Sequence, residues 1–212
     1  MPPVTVRVLH GTGNVGSLTS FDPAFAGNGE DQMGSGFYFT DLERTAWGYT
    51  MRRNAHDDPK PGGEDDPGVV VAEVVLHNPI VVPAGTVWGD AFEVTPEVAE
   101  RIVLRTPDLL DRDYGPLTDW EDVSGYSDDE MRALARSVVR RLGGTSLQLI
   151  ENDWFKGAEA SATFREAVRD VTGHDGVVAD HGEETHYVAW FPDQVRVLEI
   201  LRSVPGPSGP SP

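Results

Sequence analysis

The chain has 212 residues, of which 39% are hydrophobic and 8% aromatic, a composition that suits one domain with its own core. Its formal net charge of -18, from 35 acidic and 17 basic residues, argues against a surface built to bind duplex DNA or anionic lipid. The sequence contains no cysteine, which excludes disulfides and thiolate sites; it shows neither a leader nor a membrane-length apolar run, so we expect a cytoplasmic protein.

The first predicted strand covers residues 5–10, where polar and β-branched residues alternate. It is followed by Gly11-Thr12-Gly13-Asn14-Val15-Gly16, which satisfies the G-x-G-x-x-G pattern of dinucleotide-binding proteins. That pattern should open a helix, but residues 17–22 lack a helical apolar period and Pro23 follows them. We therefore interpret the glycines as a turn, and a Rossmann-type oxidoreductase is the alternative.

The next predicted unit is a short buried strand over residues 37–40, built from aromatic and β-branched residues. A helix over residues 42–50 follows it, with Asp41 as its cap. One tyrosine, Tyr38, leaves the strand, and a second, Tyr49, leaves the helix. Two rings so placed can hold a flat ligand between them, although an isolated pair of this kind is more often part of a core.

The remaining elements are strands separated by helices that we expect to serve only packing. A loop rich in Pro, Gly and Asp is predicted at residues 54–68, and a turn-rich segment at 108–125. Strands are predicted at 69–76, 80–82, 177–179, 187–191 and 194–201, and a disordered tail at 203–212. Helices are predicted to start at Thr95-Pro96-Glu97 and at the capping box from Ser127 to Glu130, and a third is predicted over residues 161–171.

Four motifs, in this order, resemble the ADP-ribosyltransferase superfamily. The branch they resemble is the one shared by poly(ADP-ribose) polymerases and the transferase domains of phage polyproteins. The motifs are His10-Gly11-Thr12; Gly34-x-Gly36-Phe37-Tyr38-Phe39-x-Asp41 with Ala46-x-x-Tyr49; Val75-Leu76-His77-Asn78-Pro79; and Asp175-Gly176-Val177-Val178 with Tyr187-Val188-Ala189-Trp190. The resemblance covers both ends of the chain and one central strand.

The resemblance implies an α+β fold, a split β-sandwich of two small sheets with flanking helices. It also implies one domain over residues 1–202, with a helical insertion at about residues 93–160. The activity that it implies is an NAD-dependent mono-ADP-ribosyltransferase, a glycosyltransferase that cleaves the nicotinamide–ribose bond of NAD. A toxin or a phage-type effector is the setting that it suggests.

The resemblance also assigns residues to NAD, which would serve as co-substrate. The imidazole of His10 would bond a ribose hydroxyl, and the backbone of Gly11 would meet the nicotinamide carboxamide, with Thr12 adding a hydroxyl. The nicotinamide would lie between Tyr38 and Tyr49, with Gly36 allowing close approach to the backbone. The family often has Ser three residues before the second Tyr, where this chain has Ala46, which puts one carboxamide contact in doubt.

The third motif departs from the family pattern. Polymerase-like members carry Glu immediately before the Tyr of the closing strand, and the matching residue is His186. A carboxylate is needed there because positive charge develops on the ribose as nicotinamide leaves. Glu183 and Glu184 lie in the loop entering the strand, and we favour Glu184. The alternative is that both are solvated acids of a very acidic protein.

The same segment is the densest group of metal-ligand residue types, but its spacing does not fit a zincin helix, so we predict no metal site. A protein acceptor is favoured over a nucleic acid because the chain is so acidic. NAD glycohydrolase activity and turnover-free NAD or ADP-ribose binding are the alternatives. The sequence does not identify the acceptor, the oligomeric state or a partner protein that inhibits the activity.

Overall fold

A computed structural model describes residues 3–16, 18, 20–22, 33–50, 66–86, 88–106, 125–141, 145–155 and 158–202. Most of the two predicted loops, at 54–68 and 108–125, and the predicted tail at 203–212 lie outside the described residues. The predictions for those segments therefore stay predictions.

The fold is α+β and contains one seven-stranded mixed sheet. Its strands are β1 Val4–Thr12, β2 Phe37–Thr40, β3 Gly68–Leu76, β4 Ile80–Val82, β5 Gly176–Asp180, β6 Thr185–Ala189 and β7 Val195–Leu201. They stand in the order β4-β5-β6-β2-β1-β3-β7, and among these described strands only β4 and β5 pair in parallel. Since β1 is antiparallel to both neighbours, the glycine run after it does not open a Rossmann unit, which requires a parallel sheet.

The sheet consists of two halves that meet at one residue pair. Four strands, β4-β5-β6-β2, form one half and three strands, β1-β3-β7, form the other. Between the described strands β1 and β2, pairing is limited to Leu9 and Thr40, whereas β1 pairs with β3 along nine residues from Val4 to Thr12. The prediction of two separate small sheets is therefore corrected, because the halves stay joined by hydrogen bonding at this pair.

The helices lie between strands along the chain. Their bounds are α1 Glu43–Thr50, α2 Trp88–Ala91, α3 Pro96–Val103, α4 Asp128–Arg141, α5 Leu147–Trp154 and α6 Ala158–Thr172, and a 3-10 turn covers Pro192–Gln194. The helices α2 and α5 were not predicted. The helix starts predicted from capping are confirmed, since the Thr95 hydroxyl accepts from the amide of Val98, and Ser127 and Glu130 bond each other reciprocally.

Two hydrophobic clusters lie on the two faces of the sheet. In the larger, helices α3 to α6 pack on β4, β5 and β6 around side chains such as Ile102, Ile150 and Phe164. In the smaller, Phe37 and Phe39 of β2 pack against the valines of β1 and β3. Because consecutive residues of a strand point to opposite faces, Tyr38 contacts the larger cluster while its two neighbours face the smaller one.

A buried aspartate joins the central motif of the resemblance to the closing one. The carboxylate of Asp175 accepts hydrogen bonds from the amides of His77 (2.7 Å) and Asn78 (2.9 Å). The side-chain amide of Gln194 donates to both the carboxylate and the carbonyl of Asp175. Asp175 and Gln194 are 5% and 8% exposed, so the hydrogen bonds between these two residues are shielded from water.

We expect Asp175→Ala to lower the free energy of unfolding by about 2 kcal/mol, because it leaves buried amide donors without an acceptor. Urea denaturation followed by circular dichroism measures this change. The control is Asp170→Ala, which removes an exposed ion pair with Arg105 and should change stability by less than about 1 kcal/mol. Equal effects of the two substitutions would contradict the role given to Asp175.

None of the helices in the described ranges combines the length and the apolarity that crossing a bilayer requires.

Candidate functional site

The site begins where β1 and β2 part. If their antiparallel register continued beyond Leu9 and Thr40, Gly11 would lie opposite Tyr38, but the pairing stops before that point. The imidazole Nδ1 of His10 instead contacts the carbonyl oxygen of Tyr38, at 2.8 Å. The side chain of His10 therefore replaces backbone pairing between β1 and β2 at this point, and its contact with Tyr38 keeps the two strands apart.

The imidazole of His10 is packed among aromatic rings. Its centroid lies 5.2 Å from that of Phe21 and 5.6 Å from that of Phe39. This burial lowers the pKa of His10, against the opposing effect of the hydrogen bond to the Tyr38 carbonyl. His10 thus lies on the Phe39 face of β2, whereas the Tyr38 phenol leaves the other face, so the imidazole and the phenol do not share a side.

Gly11 sits directly beneath helix α1. A Cβ atom at this position would come within 1.8 Å of the Ala46 carbonyl oxygen and 3.0 Å of the Tyr49 Cβ. Gly11 shares its face of the sheet with Leu9, and Leu9 with its paired residue Thr40. Helix α1, with half-buried Tyr49, therefore covers the same face of the sheet from which the Tyr38 phenol projects.

The turn before β2 holds the phenol of Tyr38. The Tyr38 hydroxyl donates to the carbonyl of Gly34 at 2.5 Å and accepts from the amide of Met33 at 3.0 Å. Gly34 has a φ of +81°, and a Cβ on Gly36 would lie 2.4 Å from a methyl group of Val188. The two glycines predicted for close backbone approach are thus required by a left-handed turn and by tight packing on β6.

Thr12 ends β1, and its hydroxyl accepts a hydrogen bond from the amide of Asn14 at 3.4 Å. The predicted hydroxyl of the first motif therefore lies at the strand end, next to the glycine-containing turn.

Glu184 is held at the junction of β2, α1 and β6. Its Oε2 accepts from the Thr40 hydroxyl at 2.9 Å, and the nearby Thr45 hydroxyl of α1 lowers the pKa of the same carboxyl group. The Nε2 of His186 lies 3.3 Å from the same oxygen, a contact without the alignment of a hydrogen bond. Because Thr40 and His186 are paired in the sheet, this group shares the face of Tyr38 and Gly11.

The charge states of Glu184 and His186 are set by their surroundings. Burial acts to raise the pKa of Glu184, but the hydrogen bonds from Thr45 and Thr40 and the proximity of His186 outweigh it and hold that pKa below its usual value. Burial and the neighbouring His181 lower the pKa of His186, against the opposing influence of Glu184. At neutral pH the site therefore combines an ionised carboxylate with a neutral imidazole.

The neighbouring acid, Glu183, is placed differently. Its side chain is 83% exposed and forms a surface ion pair with Arg44, whereas Glu184 is 21% exposed. Of the two acids considered for the third motif, only Glu184 points toward β2 and the face that carries the tyrosines.

The hairpin between β5 and β6 positions Glu184. Gly182 has a φ of +84°, its amide bonds the Asp180 carboxylate, and the amide of His181 donates to the carbonyl of Glu184. The carboxylate of Asp41 accepts from the amide of Thr185. Asp41 was predicted to cap α1, but this bond shows that it anchors the hairpin beside β2.

One residue of the region was missed by sequence reasoning. Glu151 of α5 is 6% exposed and lies against the turn before β2, where a Cβ on Gly34 would meet its carboxylate at 2.5 Å. A signal existed, because Glu151 follows Leu147 and Ile150 on the buried face of a helix, where an acid needs a partner. The helix itself was not predicted, so the signal was not used.

Metal binding receives no support within the described ranges of the chain, where no group of three or more His, Asp or Glu residues is arranged to hold an ion. The His181 and His186 rings are close, with centroids 4.4 Å apart, but they contact each other and do not converge on a shared site.

No protein family model matches the chain, and no curated protein matches it. The assignment of function therefore depends on the motifs and on the geometry described above.

Proposed function

We propose that the chain is an NAD-dependent mono-ADP-ribosyltransferase whose site lies between the two halves of its single sheet. The observation that carries the proposal is the position of Glu184. A hydrogen-bonded carboxylate lies on the same face of the sheet as Tyr38, Gly11 and helix α1, beside the point where β1 and β2 separate. The order of the motifs in the sequence predicts this convergence, although Glu184 lies far along the chain from Tyr38, Gly11 and α1.

The nicotinamide group of NAD would bind next to Gly11. A carboxamide needs one donor and one acceptor, and a strand that has left its neighbour offers backbone groups of both kinds. Tyr38 and Tyr49 supply aromatic surface on that face, and stacking favours the flat pyridinium. His10 acts from the opposite face, where it keeps β1 and β2 apart, so we assign it a positioning role rather than contact with a ribose hydroxyl.

Glu184 would act on the ribose during bond cleavage. As the bond between C1′ and the pyridinium nitrogen breaks, its electron pair leaves with nicotinamide and positive charge develops on the sugar. The carboxylate of Glu184 stabilises that charge and bonds a ribose hydroxyl. A nucleophilic atom of the acceptor then forms a bond to C1′ and releases its proton to solvent or a base.

His186 occupies the position that carries Glu in the polymerase-like relatives. A protonated imidazole would oppose the developing cation, but the lowered pKa of His186 keeps it neutral near pH 7. Glu184, two residues earlier, brings its carboxylate to within 3.3 Å of the His186 ring and so replaces the missing acid. The acceptor is proposed to be a protein with a basic surface, because the chain carries a net charge of -18.

The activity is tested by incubating the full chain with NAD labelled in its adenylate portion and with bacterial lysate. We expect both free nicotinamide and label attached to protein. Nicotinamide without attached label would identify an NAD glycohydrolase instead. Binding of NAD without release of nicotinamide would identify a protein that only recognises the nucleotide, and absence of binding would refute the proposal.

We expect Tyr49→Ala to weaken NAD binding by about two- to thirtyfold, because one aromatic contact with the pyridinium contributes about 0.5–2 kcal/mol. Isothermal titration calorimetry measures the change in dissociation constant. The matched control is Trp47→Ala in the same helix. The indole N–H of Trp47 donates to the Glu43 carboxylate on the exposed side of α1, away from the sheet. Equal loss of affinity in both variants would place the nicotinamide elsewhere.

A further inference from the structure

Glu151 and Arg165 are charged side chains inside the larger core. They are 6% and 2% exposed, and the Nε of Arg165 lies 3.7 Å from Oε1 of Glu151. No hydrogen bond within the described part of the chain satisfies that oxygen. Burying two charges costs several kcal/mol, and this separation recovers only part of that cost. Stability therefore does not explain why this chain buries Glu151 and Arg165 together.

Both side chains act on the turn that precedes β2. Arg165 donates from its Nη1 to the carbonyl of Ser35 at 2.7 Å, and from Nε to the carbonyl of Ser161 at 3.0 Å. The Glu151 carboxylate lies against Gly34 of the same turn and interacts with the backbone amide and the hydroxyl of Ser35. The Ser35 hydroxyl also bonds the Ser161 hydroxyl of α6, at 3.2 Å. Buried side chains from α5 and α6 therefore surround Ser35.

The turn before β2 also holds Tyr38, a residue of the proposed site. Gly34, which precedes Ser35, accepts the hydrogen bond from the Tyr38 hydroxyl. Gly34 has a φ of +81°, and a Cβ there would lie 2.5 Å from Oε2 of Glu151, so a side chain at this position would collide with the carboxylate. A continuous set of contacts thus runs from Glu151 and Arg165 through Ser35 and Gly34 to the phenol.

We propose that Glu151 is a positioning residue that, together with Arg165, holds the Gly34-Ser35-Gly36 turn so that the Tyr38 phenol is placed for the nicotinamide group of NAD. This inference rests on the proposed function for its ligand. The placement of the turn by Glu151 can be tested without any ligand.

The charge on Glu151 makes the positioning depend on pH. Burial raises the pKa of Glu151 to about 7, against the opposing effects of Arg165 and the hydrogen bonds from Ser35. A carboxylate accepts hydrogen bonds more strongly than a neutral carboxyl group, so the turn is held most firmly above this pH. Among the described residues the charged group facing Glu151 is Arg165 of α6, which stays protonated; the turn itself presents hydroxyl and backbone groups.

The first experiment measures the NAD dissociation constant of the full chain by calorimetry between about pH 6 and pH 8.5, a range that spans the pKa of about 7. We expect affinity to fall about fivefold or more toward the acidic end, the size of a modest coupling between two sites. Glu151→Gln keeps the shape and an acceptor oxygen but cannot ionise, so its affinity should be independent of pH. The exposed Glu166→Gln in α6 is the control and should follow the wild type.

His186 also titrates, but its pKa lies below its usual 6.5, and Glu151→Gln leaves it unchanged. A pH profile that persists in Glu151→Gln would therefore assign the effect to His186 and overturn the proposal.

The second experiment needs no NAD and measures hydrogen exchange of the amides of residues 33–38, corrected for the intrinsic effect of pH. We expect protection in the wild type to fall below about pH 7, where Glu151 becomes neutral, and protection in Glu151→Gln to be independent of pH. Glu151→Ala should lose protection at every pH, while Glu166→Ala should not. If Glu151→Ala does not fold, Glu151→Gln alone carries the test.

The two experiments separate the two proposals. Wild-type protein that binds no NAD refutes the proposed function, and the exchange data still decide the role of Glu151. Unchanged exchange of residues 33–38 in Glu151→Gln and Glu151→Ala overturns that role, whether or not NAD binds.

Discussion

Replacing Glu184 by Gln should reduce the rate of NAD cleavage by a factor of about 10²–10³, the usual cost of removing one group that stabilises charge in a transition state. Gln preserves the shape and still accepts a hydrogen bond from Thr40, so the fold and the affinity for NAD should change little. The loss is therefore expected in kcat and not in KM, because the carboxylate acts on charge that is absent from the bound substrate. Release of nicotinamide under saturating NAD measures this rate.

Glu183→Gln is the matched control for this prediction. It alters the adjacent acid, with the same change of charge, but its side chain is 83% exposed and bonds Arg44 at the surface. We expect its kcat to stay within about twofold of the wild type, since exposed ion pairs contribute little. If Glu183→Gln lost activity and Glu184→Gln kept it, the assignment of the third motif would be reversed. Equal activity in all three proteins would remove both acids from the mechanism.

Replacing Gly11 by Ala should destabilise the protein by about 3 kcal/mol, the upper end of the usual range for overpacking. The added methyl group would lie 1.8 Å from the Ala46 carbonyl oxygen, a backbone atom that cannot move without displacing α1. Helix α1 carries Tyr49 and Thr45, so the displacement should also abolish measurable NAD binding. Urea denaturation gives the stability, and calorimetry with NAD gives the affinity.

Gly48→Ala is the control. Gly48 lies in α1, the helix that Gly11→Ala would displace, and an added Cβ there would have no atom within 4 Å. Alanine is a better helix former than glycine, so this variant should be more stable than the wild type by about 0.5–1 kcal/mol. A Gly11→Ala protein as stable as Gly48→Ala would show that α1 does not pack on β1 as described.

The elements with strong local signals could be predicted from the sequence. The start of α3 follows from Thr95 and Pro96, and that of α4 from the capping box of Ser127 and Glu130, because capping is decided within one turn of chain. Helix α6, predicted over residues 161–171, ends at Thr172 before Gly173, whose φ of +79° suits glycine. Helix α5 was missed, since its eight residues depend on burial of Leu147 and Ile150 against distant elements.

The candidate site was predicted only in part, because its residues were identified by motif and not by direction. The motifs named His10 and Tyr38 together, yet neighbouring positions on β2 point to opposite faces, and His10 packs on the Phe39 side. Glu183 and Glu184 are equivalent in composition. What distinguishes Glu184 is the hydrogen bond from Thr40 and the nearby hydroxyl of Thr45, both of which lie far away in the chain.

The sequence by itself determined the strands and the capped helices, because alternation, composition and capping are set by residues close together along the chain; the motif residues came from the resemblance to a known family. Only the tertiary structure decided that β1 and β2 part after one pair, that Glu184 and not Glu183 faces the tyrosines, and that Glu151 and Arg165 lie beneath the turn before β2. The physical reason is that burial and hydrogen bonding set the charge and direction of a side chain, and both depend on residues brought together by folding.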